Sequence, residues 1–196
     1  MQTIGITGGI GSGKSVISHL LRLMNTPVYD SDFEAKRLYE TDTELAGKMK
    51  MRFGEDIYYN GKNKLNRTRL AEIIFKDPHA LADTNALVHP AVTRHFEEWR
   101  HEQALQGYSL VAVESAILFE SPLYPLVDTV WVVTAPEEQR LERAAKRDGV
   151  SSGAVAERIG RQMPQEEMIR RADALISNDG SELLIPRIAG LLKQFR

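Results

Sequence analysis

The sequence predicts an α/β fold, a three-layer sandwich in which helices cover both faces of a central parallel sheet. Short apolar segments typical of strands alternate with amphipathic segments typical of helices, which is the pattern of parallel β-α-β units. The chain has 196 residues, of which 42% are hydrophobic and 27% charged, ordinary values for a globular protein. We therefore expect one domain over residues 1–196 that carries inserted helices.

The first strands follow each other closely. An apolar run at residues 4–6 passes directly into a glycine-rich segment, and a helix face follows at Val16, Leu20 and Leu21. A second short strand at residues 28–29 comes after it. Residues 33–105 are mostly helical and polar, with turn signals at residues 59–61 and at Asp77–Pro78, and this block is typical of an insertion or a substrate-side subdomain.

Strand patterns return in the second half, at residues 110–113, 127–133 and 175–176. Pro136 and the carboxylates after it predict the start of a helix that runs through Arg147. We expect a last amphipathic helix that is capped by Ser181. The residues of this helix expected to face inward are Leu183, Leu184, Ile188, Leu191 and Leu192.

Composition excludes several classes of function. A formal net charge of -2 and the lack of any lysine- or arginine-rich run argue against nucleic-acid and membrane-surface binding. The absence of cysteine excludes disulfides, thiolate metal sites and a cysteine nucleophile. The first residues lack the pattern of a secretory signal, and no apolar run approaches the ~20 residues that cross a bilayer. We expect a cytoplasmic monomer or small homo-oligomer.

The glycine-rich segment carries the clearest functional signal. Gly8, Gly13, Lys14 and Ser15 satisfy the pattern G-x-x-x-x-G-K-[ST], placed between a predicted strand and a predicted helix. Glycines let the backbone turn its N–H groups toward phosphates, and the helix N-terminus adds a positive end. Lysine can reach the β- and γ-phosphates, while the Ser15 hydroxyl can bind Mg²⁺. The segment therefore predicts a P-loop that binds MgATP.

A small-molecule kinase fits the length of the chain best. A GTPase is disfavoured because the base-reading motif of that class is absent from the sequence. Such a kinase needs a base for the attacking hydroxyl. Asp30 and Asp32 follow the second strand, and residues two apart in an extended chain point to the same side. Either carboxylate could instead cap a helix that begins near Phe33. Asp30, Asp32 and Glu114 are all candidates to assist Mg²⁺ binding.

Three arginines share a face of the predicted helix after Pro136. Arg140, Arg143 and Arg147 are spaced by three and four residues. Such a cluster can supply the positive clamp on a transferring phosphoryl group. An arginine stripe can equally be a solvated surface that pairs with Glu142 or Asp148.

In order along nearly the whole chain, these segments resemble dephospho-CoA kinases, with the P-loop at residues 5–15 and a D-x-D element at residues 30–32. The other segments that carry the resemblance are Leu65-Asn66-Arg67, Asn85-Ala86-Leu87-Val88-His89-Pro90, Ile117-Leu118-Phe119-Glu120, Arg143 with Arg147, Arg158-Ile159 with Gln162, and Asn178-Asp179-Gly180. The P-loop alone is shared by many families, whereas the histidine–proline and arginine–glutamine segments are more selective.

This resemblance implies a P-loop NTPase fold and transfer of the ATP γ-phosphoryl group to the ribose 3′-hydroxyl of dephospho-CoA. It implies that Asp32, Lys14 and Arg143 are catalytic, with Asp32 as the base. It also implies a helical acceptor-binding subdomain at residues 33–105 and a lid at residues 137–170. The implied ATP-binding residues are Gly9, Gly11, Ser12, Gly13, Lys14, Ser15, Val16, Arg147 and Asn178; Thr7, Asp32, Arg67 and His89 would bind the acceptor, and Ser15 the metal.

Two alternatives remain open on the sequence. A shikimate kinase also pairs a P-loop with a D-x-D element, although the large helical block and His89 argue against it. A nucleotide-dependent switch without phosphotransfer would need a D-x-x-G segment, which the sequence lacks.

Overall fold

The computed structural model describes residues 1–59 and 63–195. In this part of the chain the strands are β1 (Gln2–Thr7), β2 (Val28–Asp30), β3 (Leu110–Glu114), β4 (Thr129–Thr134) and β5 (Ala174–Ser177). The helices are α1 (Lys14–Leu23), α2 (Ser31–Thr41), α3 (Thr43–Phe53), α4 (Arg67–Lys76), α5 (Ala80–Leu105), α6 (Glu137–Asp148), α7 (Ser152–Gly160), α8 (Gln165–Arg170) and α9 (Leu184–Leu192). Two compact units result, one of residues 1–30 with 100–196 and one of residues 31–99.

The first unit contains a sheet in the order β2-β3-β1-β4-β5, with every neighbouring pair parallel. Helices flank this sheet, which confirms the predicted α/β class. Connections between parallel strands need a crossover, and helical segments supply it here. All five strand patterns in the sequence correspond to strands, whose ends differ from the predicted bounds by at most about two residues, the usual uncertainty of such boundaries.

One face of the sheet is covered by α1 and α9. Ile17 and Leu21 of α1 are fully buried, as is Ile188 of α9, and they pack in one apolar cluster with strand residues. The strand side of this cluster comprises Ile4, Ile6, Val28, Ala112, Trp131, Val133 and Ile176. Burial of this apolar surface is the main favourable contribution to folding of the unit.

The start of α9 differs from the prediction. The helix begins at Leu184 with Leu183 at its N-cap position, and among the described residues no side chain caps it. Ser181 instead bonds to Asp179 through both its backbone N–H and its hydroxyl, at 2.8 and 2.5 Å. Leu183 is 78% exposed, so its predicted inward position is wrong. A short Asx turn satisfies Ser181 locally, and the helix therefore starts later.

The second unit consists mainly of the helices α2, α3 and α4 and most of α5. Asp42 caps the start of α3, since its carboxylate accepts from the Leu45 N–H at 2.9 Å. Asn66 caps α4 in the same way, and Asp77 ends that helix at the predicted turn. The other predicted turn falls partly on residues 60–61, which lie outside the described residues.

Within residues 1–59 and 63–195, no helix is both long enough and apolar enough to span a membrane.

Candidate active site

The glycine-rich loop joins the end of β1 at Thr7 to the start of α1 at Lys14, the context that the sequence predicts for a P-loop. Two glycines permit its course. Gly11 and Gly13 have φ values of 80° and 94°, which L side chains rarely adopt. A Cβ atom on Gly11 would lie 2.1 Å from the Arg140 carbonyl oxygen, and one on Gly13 would lie 2.0 Å from Asn178 Nδ2. The loop thus combines positive φ angles with close packing.

Lys14 lies across this loop. Its Nζ atom donates to the carbonyl oxygens of Gly8 and Gly9, at 2.9 and 3.4 Å. Ser15 and Val16, in the first turn of α1, are exposed. The N–H groups of a first helical turn have no intrahelical partners and favour anions. The ammonium group and the helix N-terminus therefore place positive charge at the same loop.

Two buried hydroxyl groups at this loop match a polar ligand. Thr7 is 1% exposed and Ser12 fully buried. Within the described residues neither hydroxyl oxygen has a hydrogen-bond partner. Buried polar groups are normally hydrogen-bonded, so these oxygens, together with a backbone turn that a Cβ atom would obstruct, fit a loop that binds phosphate. The residues of the glycine-rich loop are therefore compatible with a bound phosphate group.

Asn178 connects the loop after β5 to the glycine-rich loop of residues 8–15, the phosphate loop. Its side-chain amide donates to the Ser12 carbonyl oxygen at 2.8 Å, and its backbone N–H donates to the Thr134 carbonyl at the same distance. Arg143 donates in turn to the Asn178 carbonyl oxygen at 2.9 Å and to Gln139 Oε1 at 3.0 Å. Three residues that the sequence predicts for the site, Ser12, Asn178 and Arg143, therefore form one continuous chain of contacts.

The arginines of α6 do not share one environment. Arg140 is only 4% exposed, whereas Arg143 and Arg147 are exposed. The Arg147 guanidinium bonds to both oxygens of Asp148, at 2.7 and 3.1 Å, and Arg158 bonds to the same carboxylate at 2.7 Å. These hydrogen bonds lower the pKa of Asp148 well below its usual value. The surface-pair interpretation thus describes Arg147, while Arg140 is a buried cation.

Two carboxylates end neighbouring strands at the edge of the sheet where β1 enters the phosphate loop. Asp30 of β2 pairs in register with Glu114 of β3, which pairs in turn with Ile6 of β1. Glu114 is 8% exposed. Carboxyl ends of parallel strands form the usual ligand crevice of such sheets. Across residues 1–59 and 63–195 no group of three or more histidine, aspartate or glutamate side chains is arranged to hold a metal ion.

Asp32 lies in the second unit, at the second position of α2, with an exposed side chain. Since α2 begins at Ser31, Asp32 is helical, and the expectation that Asp30 and Asp32 share one side of an extended chain is wrong. The interpretation of Asp32 as a cap is wrong for the same reason, because the helix already includes it. A carboxylate in a first helical turn is favourable toward the helix dipole.

Arg67 and His89 also lie in the second unit. Arg67 is exposed at the first position of α4. His89 is half-buried in the middle of α5, directly before Pro90. Burial lowers the pKa of His89 below its ordinary value of 6.5. Proline is tolerated inside this long helix, although it removes one backbone donor.

Two side chains of the 137–170 region hold the phosphate loop in a way that the sequence did not reveal. Gln162 accepts from the Ile10 N–H at 2.9 Å, and Arg140 Nε donates to the Ile10 carbonyl oxygen at 3.2 Å. The spacing of four residues between Arg140 and the buried Ala144 is a signal that this arginine lies on the inward side of α6. The family resemblance includes Gln162 without giving it a role, and no periodicity points to it.

Comparisons with known proteins show to which family the chain belongs. A family model described as dephospho-CoA kinase matches residues 2–183. A dephospho-CoA kinase of Bacteroides fragilis is 44% identical over 190 residues, covering 96% of this chain and 90% of that relative. A solved Thermus thermophilus structure covers 100% of this chain and 98% of its own, at 36% identity and a TM-score of 0.84.

A Campylobacter jejuni dephospho-CoA kinase structure has the same fold, with a TM-score of 0.72 at 22% identity, and covers 100% of this chain and 98% of its own. The family model matches residues 2–183, and the identity with relatives extends over nearly the full length of the chain. The chain belongs to the dephospho-CoA kinase family, which carries out the ATP-dependent phosphorylation of dephospho-CoA in coenzyme A biosynthesis.

Proposed function

We propose that this chain binds MgATP at the loop of residues 8–15 and transfers the γ-phosphoryl group to the ribose 3′-hydroxyl of dephospho-CoA. The attacking hydroxyl oxygen forms a bond to the γ-phosphorus, the bond from that phosphorus to the β–γ bridging oxygen breaks, and ADP leaves. The observation that carries this proposal is the phosphate loop, in which Lys14 lies over a turn that contains the buried hydroxyl of Ser12.

The donor side of the reaction needs charge neutralisation more than covalent chemistry. Lys14 and the N-terminus of α1 would stabilise the β- and γ-phosphates, and the Ser15 hydroxyl would hold Mg²⁺, which neutralises phosphate charge. Magnesium bound to a kinase usually keeps several waters and uses few protein ligands. That preference is compatible with the absence of a larger ligand cluster among the described residues. Asp30, Asp32 and Glu114 stay candidates to assist the ion.

The catalytic roles are the ones that the family resemblance implies. Asp32 accepts the proton of the attacking hydroxyl as general base. Arg143 stabilises the charge that develops on the phosphoryl group, and its contact with Asn178 supports this role because Asn178 bonds directly to the phosphate loop. Thr7, Arg67 and His89 contribute to acceptor binding, and Arg147 and Asn178 to ATP binding.

Two segments extend this proposal beyond the phosphate loop. The helical residues 33–105 bind the acceptor, and residues 137–170 act as a lid whose closure excludes water and limits wasteful ATP hydrolysis. The enzyme works in the cytoplasm as a monomer or small homo-oligomer, and it needs neither nucleic acid nor a membrane.

The test is ADP release measured with MgATP alone, with dephospho-CoA and with shikimate. We expect release that depends on both Mg²⁺ and dephospho-CoA. The variant Lys14→Met serves as an inactive control in the same assay, because it removes the cation that contacts the phosphates. Release that shikimate stimulates instead, or that no acceptor stimulates, would contradict the proposal.

A further inference from the structure

The backbone of Ile10 is held at both its N–H and its carbonyl oxygen by side chains from distant parts of the first unit. Its N–H donates to Gln162 Oε1 at 2.9 Å, and its carbonyl oxygen accepts from Arg140 Nε at 3.2 Å. Ile10 lies near the middle of the phosphate loop, between two glycines. Both of its backbone hydrogen-bonding groups are therefore satisfied by residues outside the loop.

Gln162 makes a second contact at the same place. Its Nε2 atom donates to the carbonyl oxygen of Ala116 at 3.2 Å. Ala116 follows β3, two residues after Glu114. A side-chain amide carries an acceptor and two donors, so one glutamine can satisfy a backbone N–H and a backbone carbonyl together. Gln162 thus ties the phosphate loop to the segment after β3.

Arg140 has a similarly fixed environment. The side chain is 4% exposed, and its second contact is from Nη1 to Gln165 Oε1 at 3.1 Å. Its guanidinium also lies against Gly9, where a Cβ atom would come within 2.6 Å of the arginine Cζ atom. Burial of a cation is costly unless hydrogen bonds offset it. The contacts with Ile10 and Gln165 supply that compensation here.

A glycine-rich loop without such contacts would sample many backbone conformations. Ordering one residue costs about 1–2 kcal/mol of backbone entropy, and glycine loses more than other residues. A ligand that had to order the loop would lose this amount from its binding free energy. Contacts that order the loop in advance therefore raise nucleotide affinity without touching the nucleotide.

We propose that Gln162 is a positioning residue which, with Arg140, holds the backbone of Ile10 and so preorganises the phosphate loop for nucleotide. This inference rests on the proposed function of the loop as the ATP site. Gln162 acts through the backbone of Ile10 and takes no part in the chemical step. Because it lies within residues 137–170, the conformation of this segment and that of the phosphate loop depend on each other.

The experiment compares Gln162→Met with wild type. Methionine has a similar length and volume but can neither donate to Ala116 nor accept well from Ile10. Arg161→Met is the matched control, because Arg161 is the adjacent residue and its exposed guanidinium pairs with Glu157 on the surface of α7. Four quantities are measured: Kd for ADP, KM for ATP with kcat, Tm, and the hydrogen exchange rate of the Ile10 amide by NMR.

We expect Gln162→Met to raise Kd for ADP and KM for ATP about tenfold, as the loss of roughly 1.4 kcal/mol of hydrogen bonding predicts. The Ile10 amide should exchange faster, kcat should change less than KM, and Arg161→Met should match wild type. A fall in Tm alone, with nucleotide affinity and Ile10 exchange unchanged, would overturn the proposal.

A second variant keeps the inference testable if Gln162→Met does not fold. Arg140→Lys retains the charge but loses the planar fork that reaches both Ile10 and Gln165, and it should weaken ADP binding in the same direction. ADP binding needs no acceptor, so these measurements stand apart from the acceptor assay. Wild-type protein that binds ADP but does not phosphorylate dephospho-CoA would contradict the proposed function alone.

Discussion

Exposed ion pairs occur in both compact units, but the phosphate loop of the first unit is held by contacts of another kind. In the first unit, Asn178, Gln162 and Arg140 donate to or accept from the backbone of the phosphate loop, and these contacts are partly buried. In the second unit the contacts between helices include exposed ion pairs. Those pairs are Arg52 with Asp77 and Asp83, Arg69 with Asp56, and Arg94 with Asp42.

These two kinds of contact differ in how strongly they fix the conformation of the backbone. A side chain that bonds to the backbone favours one backbone geometry, and its loss leaves an unsatisfied group. Exposed ion pairs contribute little and are screened by salt. The loop proposed to bind ATP is thus held by contacts from within the first unit. We expect changes there to affect nucleotide binding, and changes at Asp32 in the second unit to affect turnover.

Asp32→Asn should produce the largest effect. Loss of the general base should lower kcat by about a hundredfold or more, while Kd for ATP stays within about twofold because the phosphate loop is untouched. Glu34→Gln, which changes another acidic residue of α2, is the control and should retain turnover. Normal turnover of Asp32→Asn would exclude Asp32 as the base.

Arg143→Ala should come next. Removal of a charged group that stabilises the transition state should lower kcat by roughly tenfold to a hundredfold and weaken nucleotide binding less. Lys146→Ala removes an exposed cation from the same helix and provides the comparison in steady-state kinetics. Unchanged kinetics for Arg143→Ala would return this arginine to a surface role.

Gly13→Ala tests the close packing of the phosphate loop. The new Cβ atom would lie 2.0 Å from Asn178 Nδ2 at a residue with φ of 94°. We expect ADP affinity, measured by calorimetry, to fall about tenfold, since the contact from Asn178 to Ser12 must shift.

Gly107→Ala tests the effect of an unfavourable φ at a glycine that has no close packing. Gly107 has a similar φ of 90°, but none of the described residues places an atom within 4 Å of its added Cβ atom. It should lose about 1 kcal/mol of stability from the unfavourable φ and keep its ADP affinity. Equal ADP affinities for the two variants would show that packing against Asn178 is unimportant.

His89 should give the smallest effect, on stability as a function of pH. Its pKa is lowered from 6.5 by burial, so the unfolded chain binds more protons in the window below pH 6.5. Stability from this residue is therefore present above that window and is lost as pH falls through it. Denaturant unfolding of wild type and His89→Gln should show a difference that changes in this direction. A pH-independent difference would contradict it.

Most of the fold could be predicted from the sequence. Alternation of apolar strands and amphipathic helices predicted the parallel sheet, because residues such as Ile4 and Ile17 must be buried. The wrong predictions concern the residues at which helices start. Ser181 bonds to Asp179 rather than to a helix end, and the helix after β2 begins at Ser31, which makes Asp32 helical. Such choices among nearby hydrogen-bond partners leave little trace in periodicity.

The candidate site was predictable where residues adjoin in sequence. Gly8 to Ser15 form a contiguous motif with a physical rationale. Contacts such as that of Gln162 with Ile10 join residues far apart in the chain, and single-sequence patterns carry no information about them. The buried position of Arg140 was missed because an arginine at helical spacing is usually exposed. The roles of Asp32, Arg67 and His89 stay predictions.

Phosphoryl transfer itself can be followed by mass spectrometry of the acceptor after reaction with ATP that carries a heavy oxygen isotope in its γ-phosphoryl group. We expect a product one phosphate heavier than dephospho-CoA, carrying the label and identical to coenzyme A on chromatography and fragmentation. Unmodified dephospho-CoA beside labelled inorganic phosphate, or a product phosphorylated at another position, would contradict the proposed reaction.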